Sequence, residues 1–287
     1  MKRQHIGEER DVLRDGETVR TGRRERAAGA PGVGTGRPRA GFVYGAVVTL
    51  LGRPVARALF RRQWAGGAHF PVEGGFIAAV NHNSALDPLA YGYFQYAAGR
   101  PPRFFAKESL FRGAFGRLMR AMRHLPVARG GVGAAASLGA AASAVRAGEG
   151  VVFYPEGTLT RDPDLWPMTG RSGAARVALE TGCPVIPVAQ WGANLLLPPY
   201  GKPGRLFPRR THRVLAGPPV DLSRFLDREP GPQVWREATE EIMTAITALL
   251  AEIRGEAAPP RPSTASSRPS AAPESTPLAA DAPAVVR

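Results

Sequence analysis

Two short apolar runs, each breaking off into a polar cluster, constrain this chain more than any other feature. Phe76-Ile77-Ala78-Ala79-Val80 leads directly into Asn81-His82-Asn83-Ser84-Ala85-Leu86-Asp87, and Val151-Val152-Phe153 leads into Tyr154-Pro155-Glu156-Gly157-Thr158. Unbroken apolar runs of this length suit strands buried on both faces, which belong to parallel sheets covered by helices. In such folds the loops after the carboxyl ends of strands carry the chemistry. The two clusters are therefore expected to form one active site.

The rest of the chain repeats strand and helix. Helices are expected over 84–98, from Ala134 to about Arg146, and over 170–181. Leu110, Phe111, Phe115, Leu118, Met119 and Met122 follow helical spacing with Arg112, Arg117, Arg120 and Arg123 between them. Trp235, Ala238, Ile242, Ile246, Leu249 and Ile253 predict a long closing helix. Further strands are expected over 103–107, 125–128, 184–190 and around 213–216. These repeats predict an α/β fold with a mainly parallel central sheet covered by helices.

A chain of 287 residues with 44% hydrophobic content can bury one full core. The expected divisions are a charged tail over 1–38, amphipathic interfacial helices over 39–66, the catalytic domain over 67–254, and a Pro/Ser/Ala-rich tail over 255–287. The start lacks the basic-then-apolar pattern of a signal peptide. The apolar stretch from Phe42 to Leu51 is too short for a bilayer, which takes roughly 20 apolar residues. It suits a helix lying in the membrane interface, with Arg53, Arg57 and Arg61 at phosphates; a core-packing helix with a basic outer stripe fits the same residues.

A single cysteine, Cys183, excludes a disulfide framework, and no metal-ligand cluster accompanies it. The formal charge of +14 calls for an anionic partner: nucleic acid, an anionic bilayer or a phosphorylated substrate. No helix-turn-helix, RNP or finger pattern favours nucleic acid. The basic stretch from Arg112 to Arg123 would draw this end of the molecule to an anionic membrane.

Chemically, His82 and Asp87 make a base and the carboxylate that orients it. Histidine titrates near neutrality and can take a hydroxyl proton and return it. Asp87 would fix its tautomer and stabilise the imidazolium. No Gly-x-Ser-x-Gly elbow is present and Cys183 stands in an apolar setting, so the nucleophile would be a hydroxyl of the substrate. Arg129-Gly130-Gly131-Val132-Gly133 offers a phosphate site ahead of a helix, without the lysine and Ser/Thr of a P-loop.

In order and spacing, His82 with Asp87, Arg129, Phe153 to Thr158, and Val185-Ile186-Pro187-Val188 resemble the four blocks of the glycerolipid acyltransferase family, the lysophosphatidate acyltransferases. The resemblance runs from about residue 70 to about 220. The NHx4D block is intact. The glutamate block departs from the usual FPEGT-Arg-Ser, because Leu159 and Thr160 follow and Arg161 is displaced. The block around Arg129 lacks its usual first glycine. Phe104-Phe105-Ala106-Lys107 is similar to a stretch the family often carries, which makes Lys107 a further candidate.

The resemblance implies transfer of a fatty acyl group from acyl-CoA or acyl carrier protein, a thioester co-substrate rather than a bound cofactor, to a hydroxyl of a lysophospholipid, lysophosphatidate first, with glycerol 3-phosphate or another lysolipid as the alternative acceptor. It implies that Arg129, Glu156, Gly157 and Thr158 hold the acceptor, with Arg129 at its phosphate. A peripheral position on the cytoplasmic face of the cell membrane is expected, with no nucleic-acid partner and no metal. Two rivals remain at this stage: a non-catalytic basic membrane- or nucleic-acid-binding protein, and a hydrolase in which His82 activates water.

Overall fold

The computed structural model describes residues 42–127, 131–202, 204 and 208–260. The first element is helical from Phe42 to Leu59: α1 (Phe42–Val47), a π-helical turn over Val48–Gly52, and α2 (Arg53–Leu59). There follow β1 (Phe60–Ala65), β2 (Phe76–Val80), α3 (Asp87–Ala97), β3 (Pro102–Lys107), α4 (Gly113–Ala121) and β4 (Leu125–Val127). The chain continues with α5 (Gly131–Arg146), β5 (Gly150–Phe153), α6 (Gly173–Thr181), β6 (Val185–Trp191), β7 (Arg210–Ala216) and α7 (Pro232–Arg254).

The strands form one sheet of order β1-β7-β6-β2-β5-β3-β4. Every neighbouring pair is parallel except β6 with β7. The two apolar runs lie next to each other at its centre, with Ala79 opposite Phe153. Successive side chains of a strand point to opposite faces, and both faces here are covered. Ile77, Ala79, Val151, Phe153 and Val185 pack against Ala141 and Val145 of α5, Ala175 of α6, and Ile242 and Ile246 of α7. Phe76, Ala78, Val80, Val152 and Ile186 pack against Tyr44 of α1 and Tyr91 and Phe94 of α3. Residues 76–80 therefore carry no polar side chain, since neither face meets water.

The expectation of helices through residue 66 is corrected. Helix ends at Leu59, and residues 60–65 form β1, paired in parallel with β7. Buried Phe60 and Trp64 alternate with exposed Arg61 and Gln63, a period of two that outweighs the four-residue spacing of the arginines. The helix expected from residue 84 starts instead at Asp87, with Pro88 in its first turn.

The segment ahead of β1 has two faces. Tyr44, Val48 and Ala56 are buried against the sheet, whereas Val43, Leu50 and Leu51 face outward, Leu50 at 78% exposure. α1 touches α4, whose Phe115 is 52% exposed; Arg117 and Arg120 of α4, and Arg112 just before it, are exposed as well. Among the described residues no helix is long and apolar enough to cross a membrane.

Candidate active site

β2 ends where a side chain takes over its ladder. Gln190 N–H donates to Asn81 Oδ1 at 2.8 Å and Asn81 Nδ2 donates to Gln190 O at 3.1 Å. The carboxamide replaces the peptide that a longer strand would supply, and the main chain is released to turn toward α3.

Asp87 gathers that turn. Its Oδ2 accepts from the backbone N–H of Asn83 and of Ser84, both at 2.8 Å, and lies 2.9 Å from His82 Nδ1. A carboxylate accepts only, so Nδ1 carries the ring proton and Nε2 keeps its lone pair. Asp87 is fully buried, and burial raises its pKa while the bonds from His82, Ser84 and Asn83 hold it down.

The rest of His82 is also held. Its N–H donates to Glu156 Oε1 at 3.0 Å and its carbonyl accepts from Thr160 N–H at 2.7 Å. The imidazole stacks on Tyr154 with centroids 4.0 Å apart and planes 19° from parallel. Phe104 stacks beyond Tyr154 and tilts against His124, giving the base an aromatic wall. Among the described residues, Nε2 is the one polar atom of His82 without a partner, and the side chain is 17% exposed. The arrangement leaves a single proton acceptor open to a ligand.

Glu156 was expected to touch the acceptor. The structure places its Oε1 on His82 N–H and its Oε2 on Met168 N–H at 3.1 Å, with 4% of the residue exposed. It thus staples the turn after β5 to the turn after β2. Burial raises its pKa, and the two N–H bonds oppose that rise. Gly157 sits at φ +71°, where an added Cβ would stand 2.6 Å from Arg171 Nε. The positive φ favours glycine there, while the Arg171 side chain, flexible and exposed, could move aside.

Thr158 is half-buried on the same turn. Exposed Tyr200 donates to Leu159 O at 2.9 Å, and the Thr158 hydroxyl and then Arg161 pull the Tyr200 pKa down. Thr158, Arg161 and Tyr200 therefore stand together beyond the Glu156 turn, and Arg171 lies against Gly157 of the same turn. Lys107 ends β3 on the same sheet edge, but β5 intervenes, so it lies about 10 Å across from β2 by strand spacing. Arg129 lies outside the described residues. No cluster of His, Cys, Asp or Glu able to hold a metal occurs among the described residues.

Sequence reasoning did not single out Asn81, Tyr154, Gln190 or Arg171 as site residues. Asn81 and Tyr154 open the two polar clusters, and Gln190 ends a third apolar run, so their positions carried a signal. Arg171 is marked by nothing in the sequence.

A family model described as Acyltransferase matches residues 61–191, the span holding every one of these groups except Tyr200. Over that span, a little under half of its length, the chain is similar to acyltransferases. A 1-acyl-sn-glycerol-3-phosphate acyltransferase of Borreliella burgdorferi is 31% identical over 131 residues, 45% of this chain and 50% of that protein. The chloroplastic 1-acyl-sn-glycerol-3-phosphate acyltransferase BAT2 of Brassica napus is 31% identical over 124 residues, 42% of this chain and 34% of that protein. The chain thus spans half or less of the length of these curated relatives. The crystal structure of the 1-acyl-sn-glycerophosphate (LPA) acyltransferase PlsC from Thermotoga maritima superposes with a TM-score of 0.56 at 21% identity, covering 77% of this chain and 85% of that one. That likeness supports the mainly parallel, helix-covered sheet.

Proposed function

We propose that this protein moves a fatty acyl group from an acyl-CoA or acyl carrier protein thioester to a free hydroxyl of a lysophospholipid, lysophosphatidate first among them. The observation that carries the proposal is the state of His82: ring oriented by Asp87, main chain held by Glu156 and Thr160, and only Nε2 open. Nε2 takes the proton of the acceptor hydroxyl as its oxygen attacks the thioester carbonyl carbon. The new C–O bond forms, the C–S bond breaks, and the thiolate leaves with the proton that His82 returns. Asp87 offsets the charge on the imidazolium between the two transfers. No enzyme-bound acyl group is needed, and no cofactor takes part.

Arg171 and Arg161 near the turn after β5, with Arg129 following β4 in the sequence, suit a phosphate on the acceptor, since guanidinium groups bind it bidentately. Exposed Val43, Leu50, Leu51, Leu110 and Phe115, interspersed with arginines, suit a peripheral position on the anionic cytoplasmic face of the cell membrane. Nucleic acid is not a partner in this scheme. The test is lipid mass spectrometry after incubating purified protein with both thioester types and a panel of lysolipids. Acyl transfer that requires the lysolipid supports the proposal; thioester loss at the same rate without acceptor overturns it in favour of a hydrolase.

A further inference from the structure

Behind His82 lies a chain of buried polar side chains that the acyl-transfer scheme does not use. Trp64 Nε1 donates to His212 Nδ1 at 3.4 Å, His212 Nε2 faces Gln190 Oε1 at 3.4 Å, and Gln190 Nε2 donates to Asn81 O at 3.1 Å. Trp64, His212, Gln190 and Asn81 are each exposed by 4% or less. Indole N–H is a donor only, so His212 Nδ1 must accept and Nε2 must carry the proton. That proton selects the oxygen of the Gln190 carboxamide, which turns the amide nitrogen toward Asn81.

Asn81 O belongs to the peptide that joins Asn81 to His82. The same peptide donates its N–H to Glu156 Oε1 at 3.0 Å. One plane is therefore held at both edges, by Gln190 on one side and Glu156 on the other, and with it the direction in which the His82 side chain leaves the backbone. Gln190 also has both main-chain groups on Asn81, and the buried Tyr154 hydroxyl lies beside its carboxamide without closing a well-formed bond. Burial lowers the His212 pKa to about 3, which keeps its ring neutral and its single Nε2 proton in place at ordinary pH.

We propose that Gln190 is a positioning residue for His82, with His212 fixing which way its carboxamide points; this rests on His82 being the base of the proposed transfer. A network that only tied β1, β7, β6 and β2 together would change the folded fraction and leave the chemistry of the folded enzyme alone.

The experiment uses the full chain with Gln190→Leu and His212→Leu, each alone and in a His82→Ala background. Misplacing a reacting group by about 1 Å costs on the order of 10²-fold, so kcat of Gln190→Leu should fall about 10- to 100-fold with both KM values within about twofold. His212→Leu, which leaves Gln190 present but free to flip, should lose about 3- to 10-fold in the same direction. In His82→Ala, adding Gln190→Leu should change the residual rate by less than about twofold, because the effect passes through the missing ring. A second readout is independent of turnover: the ¹⁵N-edited NMR signal of the His82 Nδ1 proton, assigned by its loss in His82→Ala, should shift or vanish in Gln190→Leu.

Wild-type kcat and an unshifted signal in Gln190→Leu would overturn the proposal, as would an equal loss in both backgrounds. If Gln190→Leu does not fold, the same readings on His212→Leu decide. If the wild type transfers no acyl group to any acceptor, the functional proposal fails, and the NMR signal alone confirms or overturns the positioning role.

Discussion

Two regions of this molecule treat polarity in opposite ways. At the ends of β2 and β5, polar groups are taken out of water and nearly all of them paired: Asp87, Glu156, Asn81 and Gln190 are buried, and their partners are backbone groups, each other or the rings of His82 and His212. On the surface shared by α1, the π-helical turn and α4, apolar groups are left in water, Leu50, Leu51 and Phe115 among them, beside unburied arginines. The first arrangement costs desolvation and returns a fixed geometry; the second leaves apolar area unburied and returns a surface that another phase could cover. Changes at the first region should therefore act on rate, and changes at the second on where the protein sits.

The largest effect expected is at the base. His82→Ala should lose about 10²–10⁴ in acyl-transfer kcat while keeping its circular dichroism spectrum, since a positioned acid–base group typically contributes that much. Asp87→Asn should come close to it, because an amide nitrogen facing Nδ1 forces the wrong tautomer. Next comes Glu156→Ala, which leaves the N–H groups of His82 and Met168 without their carboxylate. An unsatisfied buried donor costs about 1–3 kcal/mol, so thermal melts should show a drop of several degrees together with a fall in kcat.

Substitutions on the surface should separate the two regions. Leu50→Glu with Phe115→Glu should abolish binding to vesicles that contain anionic lipid. The same variant should keep its kcat on a short-chain, water-soluble acceptor within about twofold, as a change far from the reacting groups leaves transition-state binding intact. Wild-type vesicle binding should weaken as salt is raised, since exposed charges are screened. A variant that loses both activities in parallel would erase the distinction between the regions.

The smallest effect concerns pH and stability. Asp87 has its pKa raised above the ordinary 3.8 by burial, so between that value and its folded value the native state holds more protons than the unfolded chain. Stability then falls as pH rises through that window, and Glu156 acts with the same sign above 4.5. Asp87→Asn removes the Asp87 part. Its unfolding free energy relative to wild type, measured by denaturant titration, should grow as pH rises above 3.8 even as activity is largely lost.

What the sequence made legible follows from how local each feature is. His82 and Asp87 sit five apart on one turn, and the apolar runs before the clusters announce buried strands. Glu156 was recognisable as a site residue, but its role was not: its partners His82 N–H and Met168 N–H come from turns that only the fold brings together. Gln190 and Asn81 are 109 positions apart, and their pairing depends on β6 lying next to β2. The strand over 60–65 was hidden by Arg53, Arg57 and Arg61, whose spacing imitates a helix. Arg171 reaches the Gly157 turn only because Arg171 N–H bonds Pro155 O at 2.7 Å, a contact no spacing predicts.

The central claim is that His82 Nε2 activates a hydroxyl of the acceptor and that no residue of the enzyme carries the acyl group. Intact-protein mass spectrometry, with acyl thioester added first alone and then with lysophosphatidate, tests it most directly. The account predicts an unchanged protein mass and stable thioester in the first step, then acylated lipid and free thiol in equal amounts in the second, with neither product formed by His82→Ala. A protein mass increased by one acyl group, or thioester consumed before the lipid is added, would contradict it.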